Sequence, residues 1–322
     1  MPGVPALAAE LGVDPKTAGL ALHLLEEEGL LVGQGPGRAR RIELPKCLAA
    51  PALRVGILLY EDLDRRLDYM VDLRHRLAEA GHVAFFASRT LLELGMDVKR
   101  IQRLVAASEA DAWVVISAPR AVLEWFATQP VPALALFGRR GGVSIAAAGP
   151  DLVPAMRAAV QRLAALGHRR IVQIIRQAAE PAATTRAALE EMAKLGLPTG
   201  PYNLPVWDDN AAGLRRVLDE LFRVTPPTAL IIDEAFLFHA AKEHLAQKGI
   251  LAPRDVSLIC IDGDPTFEWC EPSVAHIRWD SRPLVGHIMS WADNVARGRK
   301  DLRQNCTQAE FVDGGTVGPA AK

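Results

Sequence analysis

Past residue 54 the chain alternates between two textures. Short continuous apolar runs, such as Val55–Tyr60 and Ala112–Ser117, give way to longer stretches whose apolar residues recur every three or four positions. The first texture fits a strand buried on both faces, the second an amphipathic helix. The pattern predicts strands over Val55–Tyr60, His82–Ala87, Ala112–Ser117, Val131–Phe137 and Val143–Ala147, separated by helices over Arg65–Ala80, Val98–Ser108 and Ala121–Thr128. A second series follows. Its helices are expected over Pro154–Leu166, Thr185–Leu195, Ala211–Phe222, Phe236–Lys248 and Pro283–Arg297. Its strands are expected over Arg170–Ile175, Asn203–Trp207, Thr228–Ile232, Val256–Asp262 and Ala275–Trp279, with a short last one at Glu310–Val312. The expected fold class is α/β, with parallel sheets covered on both faces. Two series of similar length predict two lobes, and ligands of such sheets sit at the carboxyl ends of the strands, in the cleft between the lobes.

Val4–Ile42 has a different rhythm. Val4–Leu11 reads as a short helix with Leu7, Ala8 and Leu11 on one face; Gly12 breaks it and Val13 plugs the turn. Asp14 caps the next helix and Pro15 takes its first position, where a missing N–H costs nothing. That helix runs to about Glu28 on a stripe of Ala18, Ala21, Leu22 and Leu25, and Gly29 stops it. Leu30–Val32 and Arg38–Ile42 then form a hairpin whose tip is Gly33-Gln34-Gly35-Pro36-Gly37. Helix, turn, helix and hairpin together predict a small DNA-reading head. The expected domains are a head over 1–43, a Pro- and Ala-rich linker over 44–53, and a two-lobe unit over 54–318.

Composition narrows the function. The chain has 322 residues, half of them apolar, which is enough for more than one core. Its net charge of −1 does not announce nucleic acid, but DNA affinity depends on local cations, and Arg38, Arg40, Arg41 and Lys46 cluster beside the hairpin. Cys47, Cys260, Cys270 and Cys306 lack metal-ligand spacing and suit a reducing, cytoplasmic compartment. No apolar run approaches the ~18 residues that span a bilayer, so no membrane partner is expected. The sequence holds no Gly-x-Ser-x-Gly elbow, no phosphate loop and no Gly-x-Gly-x-x-Gly after a strand, and no enzyme activity, cofactor or metal is expected.

Two resemblances sharpen this reading. The stretch from Leu7 to Gly37, with its Leu11-Gly12-Val13 turn, Asp14-Pro15-Lys16-Thr17 helix start and Leu24-Leu25-Glu26-x-x-Gly29-Leu30 exit, resembles the winged helix-turn-helix of GntR-type bacterial regulators. Gly19 stands where that family often has an arginine. The family domain also begins one helix earlier, so the resemblance implies a truncated head. From Arg54 to Gly318 the chain resembles the periplasmic-binding-protein-like effector domain of LacI-type repressors. Leu163-x-x-x-Gly167-His168-Arg169-Arg170-Ile171 and Gly249-x-x-x-Pro253-x-Asp255-Val256-Ser257-Leu258-x-x-x-Asp262 carry that likeness. Together they imply a ligand-responsive repressor that binds two-fold operator DNA as a homodimer and senses a sugar or sugar derivative. The alternative is a small-molecule binding module without competent DNA binding.

Candidate site residues follow. In the head, Lys16 and Thr17 start the recognition helix, and Gln34, Gly35, Arg38, Arg40 and Arg41 lie on the hairpin, where phosphate contacts are made. For the effector, Tyr60, Glu61 and Asp62 end the first strand, and Ser117 ends a later one. Arg186 matches the family's cleft arginine. Trp207 offers a face for stacking on a sugar, against an equally good core reading. Asp233 and Asp262, at strand ends, have carboxylates suited to accept from hydroxyls. Helix capping is the plain alternative for both.

Overall fold

The structure is a computed structural model that describes residues 4–27, 31–32, 41–42, 51–176 and 181–321. The head has helices α1 (Val4–Leu11) and α2 (Pro15–Glu27). An antiparallel pair of short strands, β1 (Leu31–Val32) and β2 (Arg41–Ile42), follows. Gly12 adopts the left-handed conformation that ends α1, and the Asp14 carboxylate accepts the Lys16 N–H at 2.8 Å. The buried seam is narrower than the expected stripe. Ala8, Ala18, Leu22 and Leu31 are buried, whereas Leu11 is 62% and Val13 41% exposed and Ala21 is also exposed. The two helices and β1 bury one narrow line of Ala8, Ala18, Leu22 and Leu31. The expected hairpin tip lies outside the described residues.

The remainder is α/β. The first lobe contains β3 (Arg54–Leu58), α3 (Asp68–Glu79), β4 (Val83–Phe86), α4 (Val98–Ala106), β5 (Ala112–Ile116), α5 (Arg120–Ala127), β6 (Ala133–Leu136) and β7 (Ala146–Asp151). The second contains α6 (Val153–Ala165), β8 (Ile171–Ile174), α7 (Ala183–Lys194), α8 (Ala211–Val224), β9 (Ala229–Ile232), α9 (Ala235–Gln247), β10 (Ser257–Cys260) and β11 (Ala275–Trp279). Then come α10 (Ser281–Ala296) and β12 (Gln304–Val312). All described strands after β2 join one ten-stranded sheet in the order β4-β3-β5-β6-β7-β12-β11-β10-β9-β8, parallel except where β12 meets β11. Every residue of β5, β6, β9 and β10 is buried, as strands covered on both faces must be.

Three departures from the sequence pattern matter. Strand β12 is nine residues long, not three. Its first half, Gln304–Gln308, pairs in parallel with β7, and its second half, from Ala309, pairs antiparallel with β11. One strand thus belongs to both lobes. Its polar first half carries no apolar run, so the pattern misses it. Helix α10 lies late in the chain but returns to the first lobe, where Leu284, Val285, Ile288 and Trp291 pack with Val55, Ile57, Met70 and Leu73. The chain therefore crosses between lobes at 151–153, at 279–281 and along β12. Finally, the expected strand at Asn203–Trp207 does not form. Asn203 sits in a short 3-10 turn (Pro201–Asn203), and its buried amide donates to the Ile171 carbonyl on edge strand β8 while accepting the Gly200 N–H. Trp207 Nε1 donates to the Ile175 carbonyl. Side chains take the carbonyls of Ile171 on β8 and of Ile175 just beyond it, and Pro205 has no N–H to offer a ladder.

Gly56 on β3 sits opposite Trp113 on β5. A Cβ at Gly56 would lie 2.7 Å from the Trp113 ring, so the indole lies directly across the glycine. That contact anchors the apolar cluster of Trp113, Val115, Phe126 and Leu123 on one face of the first-lobe sheet.

Candidate functional site: an acidic cleft gathered on one arginine

The carboxyl ends of β3 and of β8, β9 and β10 meet across the gap between lobes. Arg176, just beyond β8, reaches across it. Its Nη1 lies 2.5 Å from Glu61 Oε1 of the first lobe. Its Nε lies 3.0 Å from Asp209 Oδ2, and Nη1 lies 3.5 Å from Glu234 Oε1. The Arg176 backbone N–H donates to Asp233 Oδ2 at 3.2 Å. The guanidinium carbon sits 5.4 Å from the centre of the Tyr60 ring and 5.8 Å from that of Phe236, so an aromatic ring from each lobe flanks the cation. Arg176 is largely buried, at 12% side-chain exposure, and its acidic partners are partly buried. Three carboxylates thus converge on one guanidinium, and a fourth, Asp233, holds the backbone of the same residue.

The charge imbalance shows in the titration of these groups. Burial, with the Asp233 charge second, raises the Glu234 carboxyl to about 8 even though Arg176 pulls it down. Burial, opposed by a hydrogen bond from the Gly263 N–H and reinforced by the Asp233 and Asp264 charges, raises Asp262 to about 6. Burial also raises Asp233 and Asp64. For Arg176 burial acts downward, but the Glu61 hydrogen bond and the surrounding carboxylates win and hold it firmly protonated.

Behind this group an aromatic trio lines the lobe junction. Tyr69, Phe137 and Trp279 stand with ring centres 5.6, 6.0 and 5.7 Å apart. Burial and then the charges of Asp64, Asp262 and Glu234 raise the Tyr69 hydroxyl, which places that hydroxyl among the cleft acids. Phe137 and Ser117, ending the adjacent strands β6 and β5, both have left-handed backbones, with φ of 58° and 50°. Non-glycine residues there cost on the order of 1–2 kcal/mol each, and such strain concentrates at ligand sites.

The residues expected from sequence fall into groups. Tyr60, Glu61, Asp233 and Asp262 all lie in the cleft, as the contacts above describe. Ser117 is half-buried at the end of β5 and its N–H donates to the Leu136 carbonyl. Asp62 is exposed and accepts from Arg65 Nε at 2.9 Å within its own turn. Arg186 is exposed on α7 and its Nη1 donates to the Pro181 carbonyl, 2.6 Å away, with no described bond to the cleft acids. Trp207 is buried in the second-lobe core with Leu214, Val217 and Phe238. Lys16 and Thr17 are exposed at the start of α2. Arg41 lies on β2, and Gln34, Gly35, Arg38 and Arg40 lie outside the described residues.

Sequence reasoning missed Arg176, Asp64, Asp209, Tyr69, Phe137 and Trp279. The rule that ligands sit at strand ends points to Arg176, two residues past the apolar Ile171–Ile174. The same rule points to Phe137 and Trp279, which end β6 and β11, whereas Asp64, Asp209 and Tyr69 come from turns and a helix whose spacing carries no periodic mark. Among the described residues no group of His, Cys, Asp and Glu is arranged to hold a metal ion, and no helix is long and apolar enough to cross a membrane.

Comparison with known proteins agrees with this architecture. Residues 160–317 match the family of periplasmic binding protein-like domains. The transcription regulator CcpA of Lactococcus lactis superposes with a TM-score of 0.70 at 11% identity, over 83% of this chain and 99% of that one. A LacI family transcriptional regulator from Enterococcus faecium with bound ribose gives 0.67 at 16%, over 83% and 100%. A complex of the transcriptional regulator CelR with cellobiose gives 0.68 at 18%, over 98% and 100%. No curated protein matches the chain. At these identities the likeness establishes the fold: an α/β, periplasmic-binding-protein-like unit with a curled, mostly parallel sheet.

Proposed function

We propose that this protein is a ligand-responsive transcription regulator, a repressor without enzymatic activity, that senses a small polar molecule in the interlobe cleft. The observation that carries the reading is the Arg176–Glu61 bridge, because it ties the two lobes together at the point where a ligand would enter. A polyhydroxylated ligand suits the site. Glu61, Asp209, Asp233, Glu234 and Asp262 accept from adjacent hydroxyls, Arg176 donates, and Tyr60 and Phe236 offer apolar faces to a sugar ring. The solved relatives with ribose and cellobiose support that class.

In this reading the head is a winged helix-turn-helix that meets DNA through Lys16 and Thr17, with Arg38, Arg40 and Arg41 on the flanking backbone. Two copies read a two-fold operator. A ligand that binds one arrangement of the lobes better than the other shifts the population between them, and the spacing of the heads follows. The domains are a head over 1–43, a linker over 44–53 and a sensor over 54–318.

A thermal-shift screen of the full chain over monosaccharides, sugar acids and nucleosides tests the sensor reading. A compound present at a hundred times its Kd stabilises by about 2.7 kcal/mol, a readily measured rise in melting temperature. The rise must shrink in Asp262→Asn and Glu61→Gln. No rise with any compound, or one indifferent to both variants, would overturn the assignment of the cleft.

A further inference from the structure

A second concave site lies away from the cleft, on the outer edge of the first lobe. Strand β4 ends the ten-stranded sheet, and between it and α4 runs a groove of about 780 Å³. Phe85 of β4, whose ring packs on Trp113, gives it an apolar side. Arg54, Arg89, Arg100 and Arg103 line it, and all four are exposed.

The local acids offset these cations only in part. Among the described residues, one carboxylate lies within ion-pair distance of any of the four: Glu109, 3.7 Å from Arg54 and itself 87% exposed. The nearby Asp97 and Asp111 carboxylates accept backbone N–H groups, those of Arg100 at 2.9 Å and Arg54 at 2.7 Å. Arg100 and Arg103 stand one turn apart on one face of α4, a like-charge spacing that opposes the helix. Cations along an open sheet edge do discourage edge-to-edge pairing, but Arg54 lies on β3, which is paired on both sides, so edge protection does not explain it. Nor does it explain why α4, which is not a strand, turns two more guanidinium groups into the same concavity.

We propose that this groove binds a soluble organic phosphate. Guanidinium forks match phosphate oxygens in pairs, and Arg100 with Arg103 supplies two of them on a rigid helix. The volume suits a ligand of sugar-phosphate or nucleotide size. Arg54 already lies over the Phe85 ring, at 5.8 Å, and a sugar or base of the ligand would continue that apolar surface along Phe85. The site is separate from the cleft acids and does not depend on the function proposed for them.

Isothermal titration of the full chain at fixed ionic strength, with adenosine 5′-monophosphate, glucose 6-phosphate, inorganic pyrophosphate and sulfate as probes, tests this. At least one organic phosphate must bind more tightly than sulfate. Its affinity must fall tenfold or more in the double variant R100E/R103E, whose side chains are exposed, and in R100Q/R103Q, which removes charge without reversing it. Glu61→Gln must leave that binding unchanged. The proposal is overturned if no organic phosphate outbinds sulfate, or if the arginine variants bind as well as the natural chain. It is also overturned if the variants lose affinity for a DNA duplex alone, which would assign the groove to nucleic acid.

Discussion

Arg176 Nη1 and Glu61 Oε1 stand 2.5 Å apart although β8 and β3, the strands that deliver them, belong to different lobes. The cleft is therefore held by a bond between its walls, and the same guanidinium offsets Asp209 and Glu234. Replacing Arg176 by Ala leaves these acids facing one another in a partly dry site. The expected loss is about 3 kcal/mol, the low end for removing one partner of a buried ion pair. Urea melts at pH 8 should show that loss, and melts at pH 5.5 a smaller one, because protonation relieves the stranded carboxylates.

Glu61→Gln is the milder change, since Arg176 keeps Asp209 and Glu234. It loosens the connection between lobes without exposing a core. Small-angle scattering should report a larger radius of gyration for the variant, with the melting temperature little changed. An unchanged radius would mean that the bridge does not set the lobe separation.

Glu234 gives the cleft a pH dependence of definite sign. Its folded carboxyl holds a proton up to about 8, whereas the unfolded chain releases it near 4.5. Between those values the folded state binds more protons, so stability falls as pH rises through the window. Glu234→Gln removes that slope. Melting temperatures from pH 5 to 9 should decline less steeply in the variant; parallel curves would show that Glu234 titrates normally.

Gly56→Ala places a methyl against the Trp113 ring. The indole is buried between Phe85 and Phe126 and cannot swing away freely. The expected destabilisation is about 1–3 kcal/mol, as for other overpacked cores. A chemical melt measures it directly.

The legible part of this protein was the part with a period. Strands such as Ala112–Ile116 and helices such as Ala211–Val224 follow from apolar spacing because each buries a continuous face. The cleft was half legible. Tyr60, Glu61, Asp233 and Asp262 end apolar strands, and strand ends are where such sheets bind. Arg176 obeys the same rule, but the family match drew attention to Arg186, whose guanidinium is engaged by the Pro181 carbonyl. Trp207 looked alike as a stacking face or a core residue, and only its hydrogen bond to Ile175 and its packing on Val217 decide for the core. Strand β12 was illegible over Gln304–Gln308, since it is held by backbone pairing to β7 rather than by apolar burial. The route of α10 back to the first lobe is a long-range fact that no local pattern carries.

The account rests on a head that reads DNA under the control of the cleft. The most direct test selects binding sequences for the full chain from random duplexes, then titrates the enriched duplex by fluorescence anisotropy across salt concentrations. The account predicts an enriched sequence with two-fold symmetry and an affinity that falls as salt rises, because phosphate contacts release counterions. It also predicts that Glu61→Gln, in the cleft, shifts that affinity. A failure to enrich any sequence, or identical titrations for the natural chain and Glu61→Gln, would contradict it.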